Sequence, residues 1–332
     1  GLGGPHPGAT GNAAGRHLGP AQVQGRKDRI GGQDDEEAAE PAHGRAPEMD
    51  RIGQPVGRIS AHIDELALAM PADQGFGPGT GFFGYFDAED EDVARALLTA
   101  AEVWLAGQGM TRVLGPISLS IWEEPGLLVK GQDHPPMIMM GHHPAHYAGW
   151  IEAAGFTRAK TLYTYDLDIT SGFGPLVDRL VQTGKRNPRI NLRRVDKSRW
   201  DEEVATILAI LNDAWSDNWG FVPLTPAEIA YVGKKLKPII FEGLVRVAEY
   251  EGVPVGFMIT LPDINELTRD LNGNLFPFGW AKLLWRLRAP KVKRMRVPLM
   301  GIRKSLQGHR AASLMAFQMI EYIRRVAVTE FG

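Results

Sequence analysis

A basic, glycine-containing turn near residue 308 is the part of the sequence that most directly suggests chemistry. The stretch GIRKSLQGHRAASLM, residues 301–315, runs from an apolar segment through Gln307 and Gly308 into a helical pattern. A strand ending at Ile302 and a helix beginning near Arg310 would aim several backbone N–H groups at one point, where the helix dipole adds positive charge. From spacing alone, an anion-binding loop and an ordinary strand–helix turn are equally good interpretations.

The charge around this turn favours an anionic ligand. No acidic residue occurs between Leu271 and Ile320, although the whole chain carries a net charge of only −2. The same window holds the basic residues Lys282, Arg286, Arg288, Lys291, Lys293, Arg294, Arg296, Arg303, Lys304 and Arg310. A local asymmetry of this kind in a near-neutral protein predicts a polyanionic ligand.

A cluster of histidines in DHPPMIMMGHHPAH invites a metal-site interpretation. The side chains concerned follow Asp133 and are His134, His142, His143 and His146. Histidine and carboxylate are zinc ligands, but prolines and an apolar stretch separate these residues and the HExxH spacing is absent. The sequence therefore predicts no metal site. Glu123 and Glu124 could form a functional carboxylate pair, but a turn before Pro125 explains these two residues equally well.

Strands and helices that could position these residues alternate after about residue 50. Residues 1–50 are rich in Gly, Ala, Pro and charge and almost lack Val, Ile, Leu and aromatic side chains, so we expect a disordered segment there. Farther along, Thr225 and Glu228 have the spacing of a helix capping box, and Glu251-Gly252 marks a hairpin turn. The pattern predicts an α/β (α+β) fold of two tandem mixed-sheet units flanked by helices.

The composition excludes several classes of protein. The chain has 332 residues, a length that indicates two domains or one large domain. Its 44% hydrophobic and 23% charged residues are ordinary for a soluble globular protein. It has no cysteine, which excludes disulfides, thiolate metal sites and cysteine nucleophiles. No apolar run approaches the roughly 20 residues that span a bilayer, and the first residues lack the pattern of a signal peptide. We therefore expect a cytoplasmic protein with neither a membrane nor a nucleic acid as its partner.

The 307–312 stretch, Gln-Gly-His-Arg-Ala-Ala, resembles the acyl-CoA-binding loop of the GNAT superfamily of N-acetyltransferases. That loop has the pattern Gln/Arg-Gly-x-Gly-x-Gly/Ala and follows an apolar strand. Stretches in both halves of the chain are similar to a bacterial group of tandem GNAT-like proteins. This resemblance covers roughly residues 52–332. The similar stretches include GFFGYFDAED, TRVLGPISLS, HYAGWIEAAGF, NDAWSDNWGFVPLTPAEI, VGFMITLPDINE and FPFGWAKLLWRLR. The resemblance implies a GNAT-like unit at 51–170 without a CoA loop, a linker at 171–188 and a GNAT-like domain at 189–332 that carries the loop.

The same resemblance implies an N-acyltransferase that passes an acyl group, acetyl in the first instance, from CoA directly to an amine of a small molecule or peptide. The residues implied to bind the CoA are Ile302 and Arg303 at the pantetheine and Gln307, Gly308, His309, Arg310, Ala311 and Ala312 at the pyrophosphate. The residues implied to line the acceptor site are Trp215, Asp217, Asn218 and Trp219. As an alternative, the two tryptophans could be ordinary residues of the hydrophobic core. Asp263 or Glu266 could serve as the general base, with a solvated loop as the alternative.

Departures from the GNAT pattern keep other functions open. Arg310 stands where the loop pattern has a glycine, and the first half has no such loop. The chain ends at Gly332, soon after the helix that follows the loop, so we expect a C-terminally incomplete domain. A non-catalytic binding or scaffold protein and a tRNA-dependent aminoacyl transferase remain as alternatives.

Overall fold

A computed structural model describes residues 7–17, 44–49 and 55–331, which form two compact units. Unit 1 comprises the described residues up to Pro135 together with Met139–Asp166 and Trp219–Val222. Unit 2 comprises Pro136–Ile138, Leu167–Asn218 and the described residues from Pro223 onward. Each unit combines a sheet with flanking helices, which confirms the predicted α/β (α+β) class. The prediction of a mixed sheet in both units holds for unit 1, whereas the sheet of unit 2 is antiparallel.

Unit 1 is built on a six-stranded sheet of order β2-β3-β4-β5-β1-β8, in which only β4 and β5 run parallel. Its strands are β1 Pro7–His17, β2 Gly44–Met49, β3 Pro55–His62, β4 Thr80–Ala88, β5 Arg112–Gly115, β6 Ile117–Ser118, β7 Glu124–Pro125 and β8 Thr157–Tyr165. Its helices are α1 Glu65–Leu68, α2 Glu91–Gly107 and α3 His146–Ala153. Strands β6 and β7 pair separately from the main sheet.

Two strands of this sheet lie in the segment for which the sequence predicts disorder. β1 pairs with β5 and β8, and β2 pairs with β3. The other residues of the 1–50 segment lie outside the described residues.

Helix α2 illustrates how local sequence builds the core of unit 1. The Asp90 side chain accepts a hydrogen bond from the Val93 N–H at 2.9 Å and so caps the helix. One face of α2 is buried through Leu97, Leu98 and Leu105, which are at most 1% exposed. This face packs with the inward side chains of the sheet into one hydrophobic cluster.

Unit 2 contains a fully antiparallel four-stranded sheet of order β12-β11-β10-β9. Its strands are β9 Ile190–Arg194, β10 Val245–Tyr250, β11 Val253–Pro262 and β12 Met295–Ile302. Its helices are α4 Pro175–Lys185, α5 Trp200–Ala214, α6 Pro226–Leu236, α7 Ile264–Thr268, α8 Gly279–Arg288 and α9 Arg310–Val326, with a π-helical turn at Ala327–Phe331. The predicted capping box at the start of α6 and the β10–β11 turn at Glu251-Gly252 are both confirmed.

Helices α5 and α9 cover opposite faces of the unit 2 sheet. Met258 of β11 packs with Met315 and Met319 of α9 in one buried cluster. On the other face, the backbone of Gly301 in β12 lies so close to Ala214 of α5 that an added Cβ would come within 3.1 Å of the Ala214 side chain. The unit 2 sheet is therefore covered by a helix on each face. Within the described ranges, none of the helices combines the length and apolarity that crossing a bilayer requires.

Residues 171–188, predicted as a linker, contain the 11-residue helix α4, whose Gly184 packs on Gln318 of α9. A Cβ at position 184 would collide with the buried Gln318 amide. We expect Gly184→Ala to lower the free energy of unfolding by about 1–2 kcal/mol in urea titrations, although alanine favours helix.

Gly149→Ala is the matched control, since Gly149 lies in α3 and an added Cβ would meet nothing within 4 Å among the described residues. This variant should be as stable as the parent or more stable, by up to about 1 kcal/mol. Equal effects of the two substitutions would contradict the packing of α4 on α9.

Candidate functional site

The β12–α9 junction brings together all the residues that the sequence predicts as CoA ligands. β12 ends at Ile302, a short 3-10 turn spans Lys304–Leu306, and α9 begins at Arg310. Gly308 has a φ of +81°, a conformation that favours glycine, and within the described chain an added Cβ there would meet nothing within 4 Å. The junction is therefore a glycine-dependent loop whose backbone is open to solvent.

The N-terminus of α9 offers its backbone donors to that solvent. His309 occupies the N-cap position with extended backbone angles (φ −80°, ψ 147°), but no described side chain caps the helix. The first turn contains no acidic residue, and His309 and Arg310 are both exposed. Uncapped N–H groups and the positive end of the helix dipole thus face one region of the surface, and Arg310 adds a formal positive charge in the first turn.

Gln307 has an internal role that its place in the motif does not reveal. Its Nε2 donates to the backbone oxygen of Ile302 at 2.9 Å and to that of Ala214 at 3.2 Å. The side chain therefore ties the loop to the end of β12 and to α5 instead of reaching into the space above α9. Any anion at this loop would meet backbone groups, with Gln307 fixing their position.

The residues that follow α5 contact the loop. Trp215 donates its indole N–H to the Met300 oxygen at 3.0 Å, and Asp217 pairs with Lys304 Nζ at 2.5 Å. The Asn218 N–H donates to the Trp215 oxygen at 2.8 Å. Three of the predicted acceptor residues thus form one segment beside β12 and its loop.

Trp219, the fourth predicted acceptor residue, belongs to unit 1. Its ring packs edge-on against Phe76 with centroids 5.8 Å apart and lies beside a buried cluster that includes Phe82. The structure therefore favours the core interpretation of this tryptophan.

Strand β12 presents one backbone edge away from β11. The Arg303 N–H donates to the Val255 oxygen of β11 at 2.8 Å. In an antiparallel pair, successive residues direct their backbone N–H and C=O groups alternately towards and away from the partner strand. The backbone groups of Met300 and Ile302 therefore point away from β11. Their carbonyl oxygens accept from Trp215 and Gln307. Because β12 is an outer strand of the described sheet, its N–H groups on this side can receive an extended ligand.

Asp263 and Glu266 are structural carboxylates in this arrangement. Asp263 is fully buried, and its oxygens accept from the Ile138 N–H at 3.1 Å and from Arg294 at 2.9 Å. Glu266 accepts from the Lys293 N–H at 2.8 Å and pairs with Arg294 at 3.3 Å. Neither carboxylate lies in a solvated loop, which was the alternative interpretation. Both already accept hydrogen bonds from other parts of the protein, so the geometry gives no support to a role as general base.

Unit 1 contains a separate polar cleft, whose lining includes the side chains of Ser118, Glu124 and His143. His143 Nδ1 accepts the Leu128 N–H at 3.1 Å, and burial lowers the pKa of His143, so its ring is a neutral acceptor at this nitrogen. Tyr85 at the rim has a φ of +45°, a strained angle that no feature of the sequence indicates. Among the described residues, no group of three or more His, Asp or Glu side chains is placed to hold a metal ion.

Comparison with known proteins gives the family. The chain is 44% identical over 280 residues to a protein of Caulobacter vibrioides named bacterial ceramide synthase, covering 84% of this chain and 72% of that protein. The chain belongs to the same family. It is also 41% identical over 276 residues to the protein YghO of Escherichia coli, covering 82% of this chain and 69% of YghO. The name of the first relative marks the family as acyltransferase-like.

No protein-family model matches the sequence. Neither relative's name refers to the GNAT superfamily, so that resemblance stays a prediction.

Proposed function

We propose that the chain is an acyl-CoA-dependent N-acyltransferase that transfers a fatty acyl group to the amino group of a long-chain amino alcohol. A ceramide is the amide of a fatty acid and a long-chain amine, so the name of the Caulobacter relative supports this choice of acceptor. The observation that carries the proposal is the uncapped α9 N-terminus, preceded by a glycine turn and set in the acid-free window between Leu271 and Ile320.

The loop would bind the phosphates of CoA through charge and backbone donors. Backbone N–H groups at the start of α9 suit a phosphate oxygen, and the dipole of the helix adds attraction. The exposed Arg310, in the first turn, supplies a formal positive charge where the GNAT pattern has glycine. We therefore interpret Arg310 as a phosphate contact and not as an obstruction.

The open edge of β12 would hold the pantetheine arm. An extended chain of amides can hydrogen-bond to an exposed strand edge as an added strand does. The arm would start at the loop beyond Ile302 and run along β12 past Met300, which places the thioester beside the strand. Trp215 fixes the Met300 carbonyl and so leaves the N–H on this edge for the ligand.

The reaction is a direct displacement at the thioester. The amine nitrogen attacks the acyl carbonyl carbon, the C–N bond forms, the C–S bond breaks, and CoA leaves as the thiol after taking up the proton that the amine loses. A backbone N–H on the edge of β12 would stabilise the transient oxyanion, since donors fixed in advance do this most effectively. Because Asp263 and Glu266 are committed to structural bonds, we propose that the proton leaves through water.

An assay of amide formation tests the function. The protein is incubated with palmitoyl-CoA and a C18 amino alcohol, amide is measured by mass spectrometry, and released CoA by its thiol. We expect amide and CoA in equal amounts, and none with the N-acetylated amino alcohol. Acetyl-CoA is assayed in parallel to test the shorter donor that the GNAT resemblance implies.

Two outcomes would contradict the proposal. Binding of CoA without turnover of any thioester would favour the scaffold alternative. Amide formation from aminoacyl-tRNA, with none from acyl-CoA, would favour the tRNA-dependent alternative.

A further inference from the structure

Helix α8 and the residues just before it expose a cluster of large apolar side chains. Phe276 is 81%, Phe278 77% and Trp285 72% exposed. We define the α8 patch as these residues together with three that are 43–57% exposed, namely Leu275, Trp280 and Leu284. Single exposed apolar residues are ordinary on protein surfaces, but a contiguous aromatic group marks an interaction site.

The core of unit 2 does not account for this patch. Leu283 and Leu287 are the α8 side chains that pack against the buried cluster beneath the helix. At 100° per residue, Trp280 and Leu284 lie along the border of the side of α8 that holds Leu283 and Leu287, and Trp285 points to the opposite side. A surface helix normally places polar residues on that opposite side, so the exposed Trp285 is not explained by packing within unit 2.

Basic side chains outnumber acidic ones around the patch. Lys282 and Arg286 pair with Asp270 at 2.6 Å, which holds the helix against the turn that precedes it. Farther along, Arg288 and Lys293 are exposed, and no acidic residue occurs until after Ile320. An apolar centre with a basic rim complements a surface that is apolar inside and anionic outside.

We propose that the α8 patch binds an anionic lipid bilayer, with α8 lying parallel to the membrane plane. Tryptophan and phenylalanine enter the region between head groups and acyl chains, while lysine and arginine contact anionic head groups. The expectation that a membrane is not a partner rests on the absence of a spanning run and of a signal peptide, neither of which bears on a surface helix. The proposal goes beyond acyl transfer and does not depend on it.

Sedimentation with lipid vesicles tests the α8 patch. The full chain should bind vesicles of 70% phosphatidylcholine and 30% phosphatidylglycerol at least about tenfold more tightly than pure phosphatidylcholine. The double variant Trp280→Ser/Trp285→Ser should lose at least about tenfold in affinity for the mixed vesicles. Arg288→Glu/Lys293→Glu should lose the preference for anionic lipid.

Tyr231→Ser/Val103→Ser is the matched control, since these side chains are 62% and 67% exposed but lie outside the patch. It should bind vesicles as the parent does. All variants should retain the parent's thermal midpoint. The tryptophan variant and the control should also retain the parent's affinity for CoA in solution, which separates failure of this proposal from failure of the proposed function.

Three results would overturn the membrane proposal. One is equal binding of the parent and the Trp280→Ser/Trp285→Ser variant to the mixed vesicles. Another is salt-dependent binding of a single-stranded RNA without vesicle binding, which would assign the patch to nucleic acid. The third is a parent dimer that the tryptophan substitutions dissociate, without vesicle binding, which would assign it to a second copy of the chain.

Discussion

His309→Asp is expected to raise the stability of the protein and to weaken acyl-CoA binding by about 10- to 100-fold. His309 already has the extended backbone of an N-cap residue but forms no cap. An aspartate there would accept a hydrogen bond from the first turn of α9 and stabilise the fold by about 1 kcal/mol. The same carboxylate would occupy the donors and repel the phosphates of CoA.

Thermal unfolding and titration calorimetry measure the two effects on the same preparation. His309→Asn is the matched control, because asparagine caps a helix without adding charge. It should stabilise the protein to a similar degree and weaken binding less than aspartate does. Unchanged CoA affinity in His309→Asp would show that the phosphates bind elsewhere.

Glu321→Gln is expected to lower the free energy of unfolding by about 3 kcal/mol at pH 7. Glu321 is 5% exposed in α9 and accepts from Arg324 at 2.7 Å and from Arg325 at 2.6 Å. The hydrogen bond from Arg324, followed by that from Arg325, lowers the pKa of Glu321 from 4.5 to about 2. The glutamine cannot carry the charge that both arginines bind.

The pH dependence of this effect has a defined sign. A carboxyl group with a lowered pKa in the folded state stabilises the fold above pH 4.5 and loses that contribution as the pH falls towards 2. The difference between the parent and Glu321→Gln in urea unfolding should therefore fall to less than half near pH 3.

Glu251→Gln is the control for an exposed ion pair, since Glu251 is paired with Arg189 and both side chains are more than half exposed. It should change the free energy of unfolding by less than about 1 kcal/mol at either pH. A pH-independent effect of Glu321→Gln would contradict the ionic role of Glu321.

Features of this fold that depend on neighbouring residues in the chain were predictable from the sequence. The capping box of Thr225 and Glu228 requires residues only three positions apart, and the turn at Glu251-Gly252 requires two. The loop around Gly308 is of the same kind, because an apolar strand, a glycine and a helical pattern follow one another directly. The positions predicted for the capping box, the hairpin turn and the glycine loop therefore agree with the structure.

Features that depend on distant contacts could not be predicted in this way. Asp263 is buried because Ile138 and Arg294 reach it from other parts of the chain. Trp219 directly follows the loop-contacting segment but packs on Phe76, far away in sequence. Gln307 matches a ligand motif, yet its amide binds inward, which only the position of α5 determines.

Hydrogen exchange with and without decanoyl-CoA, followed by mass spectrometry of peptides, tests whether acyl-CoA binds at the β12–α9 junction. We expect slower exchange in peptides covering β12 and the first turn of α9, from about Met300 to Ala312. The polar cleft of unit 1 at Ser118 and His143 should exchange at an unchanged rate. Protection confined to that cleft, or none anywhere at saturating ligand, would contradict an acyl-CoA site at the β12–α9 junction.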